Sequence, residues 1–437
     1  MAIMSLPQII PTDPHTSQPE NGREPGDAEA FLLRVTELLH AYGTPSFRLE
    51  RVLMIVARGL KVEAAFLAAP TSVIVSLGRV PHRAVHLLRS DSGELNLGKL
   101  VEFDEVMEEV EQHRVTPRNG LLRLNQIAAA PSRFRRRVAI LGFGVASGTA
   151  SIFFGGGPAD FIASMFVAMC IFLIGQVLPK REDTIGFFEP LSAFFAALTG
   201  TILANVDGGS LGVNGRVVTL ASLIILLPGL SLTVGFCELA TKHLVSGVAR
   251  VAGAGAVFLT LVFGVAMGWR LGAEVCQMGG LLVSDSFVPG FAAWPASLSS
   301  AMPWLSAAFA PFAFGILMQA RVREFGVIFV ASVLGYSAAV YGNACLGQDF
   351  GPFLGALVVG LVSNLYARVA NRPALVPLTP GILMLVPGSL GFRSLTSFLD
   401  ADSLAGMSWA FQTGMVAVGL VGGLLASNML LPPRRSL

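Results

Sequence analysis

The chain has 437 residues, of which 53% are hydrophobic and 13% charged, with a formal net charge of +2 and no basic, aromatic-interleaved patch that would serve nucleic acid. The charge is unevenly spread, because residues 1–137 carry 17 Lys+Arg and 16 Asp+Glu whereas residues 138–437 carry only 13 and 12 in more than twice the length. The first part therefore has the composition of a soluble protein, and the second can face lipid, where exposed charge is expensive.

In chain order, residues 1–27 hold five prolines and no apolar core, so they read as a disordered tail and not a signal peptide, which leaves the N-terminus in the cytoplasm. Residues 28–130 read as a small α+β unit. Phe31, Val35, Leu38 and Leu39 recur at helical spacing up to Gly43, and a second helix follows with Thr44 as N-cap, Pro45 in its first turn and Leu49, Leu53, Val56 and Leu60 on its apolar face. Val62 to Leu67, Thr71 to Leu77 and Val85 to Leu88 are β-rich, and Leu100 to Gln112 and Leu121 to Ala130 are helical. His40, His82, His86, His113, Ser46, Ser72 and Ser76 lack a nucleophile elbow or zinc-protease spacing, so they are expected at the surface or in packing. Arg48, Glu50, Arg51 and Arg58 read as a solvated helix face.

A membrane-crossing helix needs roughly 20 residues, with about 17 sufficient in favourable cases. Ten candidates follow: Val138 to Phe154, Phe161 to Leu178, Phe187 to Asn205, Val217 to Phe236, Val251 to Trp269, Pro303 to Met318, Phe325 to Tyr341, Phe350 to Tyr366, Leu375 to Leu390 and Met407 to Leu431. With the N-terminus inside, fourteen Lys and Arg flank them on the cytoplasmic side and only Arg216, Arg270 and Arg393 on the outer side, which agrees with ten spans and two cytoplasmic termini. The halves are then 138–269 and 303–431, joined by an outer loop at 270–302. Of the four cysteines, Cys170 and Cys237 are placed in or beside spans, while Cys276 and Cys345 fall in expected outer loops where a disulfide is chemically open to them. No cysteine has a ligand-spaced partner, so neither metal nor cofactor is expected.

Leu226-Leu227-Pro228-Gly229 and Leu385-Val386-Pro387-Gly388 look like copies 159 positions apart (388 − 229 = 159), and the same offset matches Gly247 with Gly406, Gly255 with Gly414 and Gly264 with Gly423. Five spans per copy would place the second upside down relative to the first, the inverted-repeat plan of many secondary transporters. Pro-Gly inside an apolar span frees backbone carbonyls and exposes half-helix ends, which membrane depth tolerates only where the backbone is buried or lines a cavity; kinks for packing are the alternative. Pro377, Pro380 and Gly381 repeat the device in the ninth span. Candidate substrate contacts are Pro228, Gly229, Ser231 and Thr233, then Pro387, Gly388 and Ser389, with Asn205 and Asn364 near the ends of the third and eighth spans. Glu189 and Glu238 are the candidate proton carriers, since a carboxylate beside a low-dielectric cavity can load and release a proton; interfacial charges in water are the alternative.

The segments Tyr42-Gly43-Thr44-Pro45-Ser46-Phe47-Arg48-Leu49-Glu50, Leu227-Pro228-Gly229 onward to Ser246-Gly247-Val248-Ala249-Arg250, and Leu385-Val386-Pro387-Gly388-Ser389-Leu390 occur in that order. Together they make residues 30–431 resemble the threonine/serine exporter family of bacterial inner-membrane proteins. The resemblance implies a cytoplasmic N-terminal domain, ten helices in two related halves, and proton-driven export of small hydrophilic metabolites. One position departs from the pattern: Cys237-Glu238 stands where an Arg-Asp pair is expected, so the carboxylate lacks its basic neighbour.

The expectation is an exporter of threonine, serine or a similar amino acid working by alternating access, with protons and the lipid bilayer as its other partners and a homo-oligomer left open. Small dicarboxylates such as succinate are the alternative substrates, although the spans offer few compensating cations and helix ends suit a zwitterion better. A membrane-embedded enzyme lacks its motifs, and a membrane-anchored sensor would not need ten Gly-rich helices.

Overall fold

The computed structural model describes residues 26–79, 83–89, 95–178, 186–206, 211–280, 294–347, 350–386 and 388–433. Most of the segment expected as a disordered tail, like His82, Lys180, Arg181, Pro387, Arg434 and Arg435, lies outside them. The first elements are α1 (Asp27–Ala41), α2 (Ser46–Gly59), β1 (Ala64–Ala69), β2 (Ser72–Leu77), β3 (Ala84–Arg89), α3 (Leu97–Glu111) and α4 (Pro117–Ala129). Local chemistry sets their ends. Gly43 takes φ +76° after α1, a conformation that costs a residue without Cβ nothing. Asn96 caps α3 by accepting from the Lys99 N–H at 2.9 Å, and Pro117 opens α4 where its missing N–H is not needed. Thr44 does not cap α2: Pro45 holds the N-cap position and the helix starts at Ser46.

The strands form one antiparallel sheet in the order β1-β2-β3, with Phe66 opposite Val75 and Val75 opposite His86. Strand alternation turns Ala68, Val73, Val75 and Leu77 inward against Phe31, Leu49, Leu53 and Phe103. That core does not close on itself. It continues from Leu97 and Leu100 through Met318 and Ala320 to Leu375 and Val376, and the Leu97 N–H donates to the Met318 carbonyl at 2.9 Å. The α+β head thus shares its apolar interior with the second half of the chain.

Beyond the head the chain is helical: α5 (Arg136–Phe153), α6 (Pro158–Val177), α7 (Phe188–Asn205), α8 (Gly215–Ser222), α9 (Gly229–Ala240), α10 (Leu244–Met278), α11 (Ala296–Ser299), α12 (Met302–Leu317), α13 (Phe325–Leu346), α14 (Phe350–Ala370), α15 (Leu375–Leu383), α16 (Gly388–Leu399) and α17 (Ser403–Leu430). Among the described residues, six stretches are long and apolar enough to cross a membrane, namely α6, α10, Val322–Leu346, α14, Leu375–Ser397 and α17. The chain is a polytopic helical membrane protein. Each of the ten expected segments contains helix, but α5, α7 and α12 span only 18, 18 and 16 residues, and α8 and α9 share one segment.

Two expectations need correction. α10 has 35 residues, about 50 Å at 1.5 Å per residue, and runs well past Trp269 through Arg270 and Glu274. Cys276 therefore lies buried in α10 instead of in a loop, Cys345 lies exposed in the last turn of α13, and all four cysteines are free. Pro377, Pro380 and Gly381 lie inside α15, not in a break. Pro377 falls in the first turn, where no N–H is missed, and Gly381 lets Val359 of α14 approach to 2.7 Å of where a Cβ would stand.

The helices repeat one set of neighbours. α5 packs on α6, α6 on α7, α7 on α8 and α10, and α9 on α10; likewise α12 packs on α13, α13 on α14, α14 on α15 and α17, and α16 on α17. The two sets meet through α5 with α12 and α9 with α16, and reciprocally through α9 with α17 and α16 with α10. Gly264 and Gly423 occupy the same niche: a Cβ on either would collide with a carbonyl oxygen, of Pro190 or Phe353, and stand 2.9 Å from Ala193 or Ala356. Gly255 and Gly414, by contrast, meet nothing within 4 Å, so that match carries no packing.

Candidate functional site

The first break lies between Ser222, the end of α8, and Pro228, the N-cap of α9. Proline has no N–H to continue a helix, and the chain turns through Leu223–Leu227 before α9 begins at Gly229. The second break separates Leu383 from Gly388, which opens α16; Pro387 itself is outside the described residues. The two breaks touch. A Cβ on Gly229 would collide with Val386 and lie 2.9 Å from the Gly388 Cα, and one on Gly388 would lie 3.4 Å from the Gly229 Cα and the Leu227 Cβ. The close approach requires glycine at position 229, and the crossing brings the N-termini of α9 and α16, each carrying a positive partial charge, to one place.

Ser231 and Ser389 stand within the first turns of α9 and α16, half-buried, and their hydroxyls make no hydrogen bond to a described residue. Thr233 is buried and donates back to the Gly229 carbonyl at 3.0 Å, satisfying a group beside the break. The asparagines do not join this cluster through any described hydrogen bond. The Asn205 amide donates to the Thr201 carbonyl at 2.8 Å in its own helix, and the Asn364 amide to Asn428 Oδ1 of α17 at 2.9 Å. Glu189 sits in the first turn of α7, where a negative charge complements the helix N-terminus.

Glu238 occupies a different setting, at the junction of α9, α10 and the head. Its carboxylate is wholly buried and accepts from the Ser46 N–H at 3.0 Å, the Ser246 hydroxyl at 2.9 Å, and Arg250 Nε and Nη2 at 3.0 and 3.2 Å. The basic partner missing beside Glu238 in sequence is thus supplied by Arg250 from the next helix. The Ser46 and Ser246 hydroxyl oxygens are 2.7 Å apart, so the head segment around Ser46 plugs directly into α9 and α10. Beside it, Glu50 accepts from the Ala68 N–H at 2.9 Å and faces His243 Nε2 at 3.3 Å. The helix face read as solvated is therefore divided: Arg51 and Arg58 are exposed, but Arg48 and Glu50 face the seam with α9 and α10.

A second anchor ties α3 to the other half. Glu105 binds Arg321 at 2.9 Å and also Arg372, Asn371 reaches both Glu108 oxygens at 3.1 Å, and Arg321 lies 3.6 Å from Glu102. Burial pushes the Glu105 carboxyl up, but the Arg321 and Arg372 guanidiniums outweigh it and hold it below the usual carboxylate range. The head consequently straps the α9–α10 junction to the loops before α13 and α15. At the other ends of the broken helices, Arg216 at the start of α8 pairs with Asp400 after α16 at 2.9 Å with no intervening element.

Ser46, Ser246 and Arg250 lie in the segments that carry the resemblance, but they and His243 are absent from the sequence-derived site because their spacing does not show that they meet. Only the α9–α10 hairpin and the docking of α2 put them around one carboxylate.

Comparison with known proteins gives two family matches, both described as threonine/serine exporters, over residues 30–272 and 304–430. Curated relatives include a "Pheromone-regulated membrane protein 10" of Zygosaccharomyces rouxii, 25% identical over 433 residues, covering 92% of this chain and 43% of the relative. Its Saccharomyces cerevisiae counterpart is 26% identical over 429 residues, covering 92% and 54%. The chain spans about half the length of the curated relatives it matches. No solved structure matches.

Proposed function

Because the chain belongs to the threonine/serine exporter family, we propose that it exports small hydrophilic amino acids such as threonine and serine, exchanging them for protons by alternating access. The observation that carries the reading is the contact of Gly229 with Gly388. There two half-helix N-termini meet, with Ser231 and Ser389 in their first turns, a set of groups suited to the carboxylate and hydroxyl of a small zwitterion. The repeated neighbour pattern of α5–α10 and α12–α17 supports ten spans in two inverted five-helix halves related by an axis through the α5–α12 and α9–α16 contacts. The Lys and Arg distribution supports a cytoplasmic head and cytoplasmic termini. In this arrangement the head and the Arg216–Asp400 pair hold the inner and outer ends of the broken helices, and release at one side opens that side. Glu238 spends its acceptor capacity on four donors, which fits docking, so the proton-carrier role falls first to Glu189.

Purified protein in liposomes under an imposed pH gradient should move radiolabelled threonine. Movement of succinate with no movement of threonine or serine overturns the substrate assignment.

A further inference from the structure

Arg48 lies in the first turn of α2, pressed into the seam between the head and α9 with 7% of its surface exposed. Its Nη1 is shut from solvent and has no hydrogen-bond partner, and no described carboxylate pairs with the guanidinium. Its neighbours are the Phe47 ring, 5.8 Å from the guanidinium carbon, the Cys237 thiol of α9, and Arg51, whose charge adds to the misfit. Burial pushes the guanidinium down to about 10, and Arg51 adds to that fall while Cys237 opposes it. Glu238, one residue from Cys237, is already saturated by Ser46, Ser246 and Arg250. Four residues before Arg48, the Thr44 hydroxyl is likewise buried and without a partner.

An unpaired guanidinium inside a protein is strongly disfavoured. A buried guanidinium nitrogen and, four residues earlier in the chain, a buried hydroxyl, neither with a partner, are matched by a small oxyanion, and burial favours a singly charged carboxylate over phosphate, whose second charge is costlier to bury. We propose that Thr44 and Arg48 form a carboxylate-binding site in the seam between the head and α9, distinct from the crossing at Gly229 and Gly388. Both atoms are closed to solvent here, so the ligand enters as the seam parts. Relief of the unpaired charge then favours the parted state, because a ligand shifts an equilibrium by its differential affinity for the two states. The site makes the head a sensor of cytoplasmic carboxylate. It rests on the exporter reading only for the natural ligand, the carboxylate of the exported amino acid.

The test uses the purified full-length protein and the shift of its melting temperature with acetate, threonine, threoninamide and phosphate, at constant ionic strength held with sodium chloride. Acetate and threonine should raise the wild-type melting temperature, and threoninamide and phosphate should not. Arg48→Met should melt at or above the wild-type temperature without ligand, since it removes a buried unpaired charge, and its apparent Kd for acetate should rise at least ten-fold. Thr44→Val should weaken acetate binding by a smaller factor. Equal acetate responses in wild type and Arg48→Met, no wild-type response to acetate, or a response to phosphate alone each overturns the assignment. Failure of threonine transport in liposomes with the acetate response intact would remove the amino-acid substrate and leave this site standing.

Discussion

Replacing Glu238 by alanine tests how the head is held to the membrane part. The carboxylate is wholly buried, and its removal strips four hydrogen bonds at once, leaving Arg250 without its counter-charge and the Ser46 N–H without an acceptor. Breaking a buried ion pair by removing one partner costs about 3–5 kcal/mol, and the orphaned Ser46 N–H falls within that figure because the terms share one carboxylate. Glu238→Gln keeps the shape but turns an amide NH2 toward Arg250 and Ser46, donor against donor, so it should cost about 2–4 kcal/mol. Glu238→Leu combined with Arg250→Leu removes both charges together and should recover most of the loss. Thermal melting of the purified variants gives the magnitudes, and the double-mutant cycle should return a coupling above about 1 kcal/mol. Tryptic cleavage after Arg48, buried in the seam, should accelerate in Glu238→Ala as α2 undocks. A loss under about 1 kcal/mol, or additive single and double variants, refutes the docking argument.

Gly229→Ala drives a methyl into Val386 and against the Gly388 backbone, so transport in liposomes should fall at least ten-fold, whereas Gly255→Ala, with nothing within 4 Å, should leave it unchanged. The Glu105 anchor has a carboxyl held below its unfolded value, so its contribution is complete above the unfolded range near pH 4.5 and disappears as pH falls through the lower folded value. Cross-linking yield between cysteines placed at Leu97 and Met318, whose backbones are hydrogen-bonded beside this anchor, in a background without native cysteines should stay constant down to about pH 5 and drop below it. The Arg216–Asp400 pair is largely exposed, so Arg216→Ala should cost under about 1 kcal/mol of stability in melting experiments while raising the accessibility of the outer side to thiol reagents. Glu189→Gln should leave threonine counterflow intact and abolish uptake driven by a pH gradient; gradient-driven uptake equal to wild type removes Glu189 as the proton carrier.

Much of the architecture was legible in the residues themselves. Apolar runs of 16 to 25 residues can be satisfied in lipid only as helices, because each backbone group must find its partner locally, so the helical segments follow from composition and length. The first break was legible at Pro228, which lacks the N–H that would continue α8 into α9, and the three β-rich runs of the head announced β1 to β3. What lay beyond the sequence were encounters between residues far apart in it. Glu238 appeared to lack a cation because Arg250 reaches it only once α9 and α10 fold back on each other. Arg48 looked like a solvated charge because helical spacing records which residues share a face, not what covers that face. The 35 residues of α10 outran the expected span because a helix may continue into water when neighbouring helices cover it, and apolarity alone does not register that support. Local propensity and the solvent thus determined where helices and strands arise, whereas the length of α10, the contact of Gly229 with Gly388 and the docking of the head were decided by tertiary packing, which alone brings distant backbone and buried charge within bonding distance.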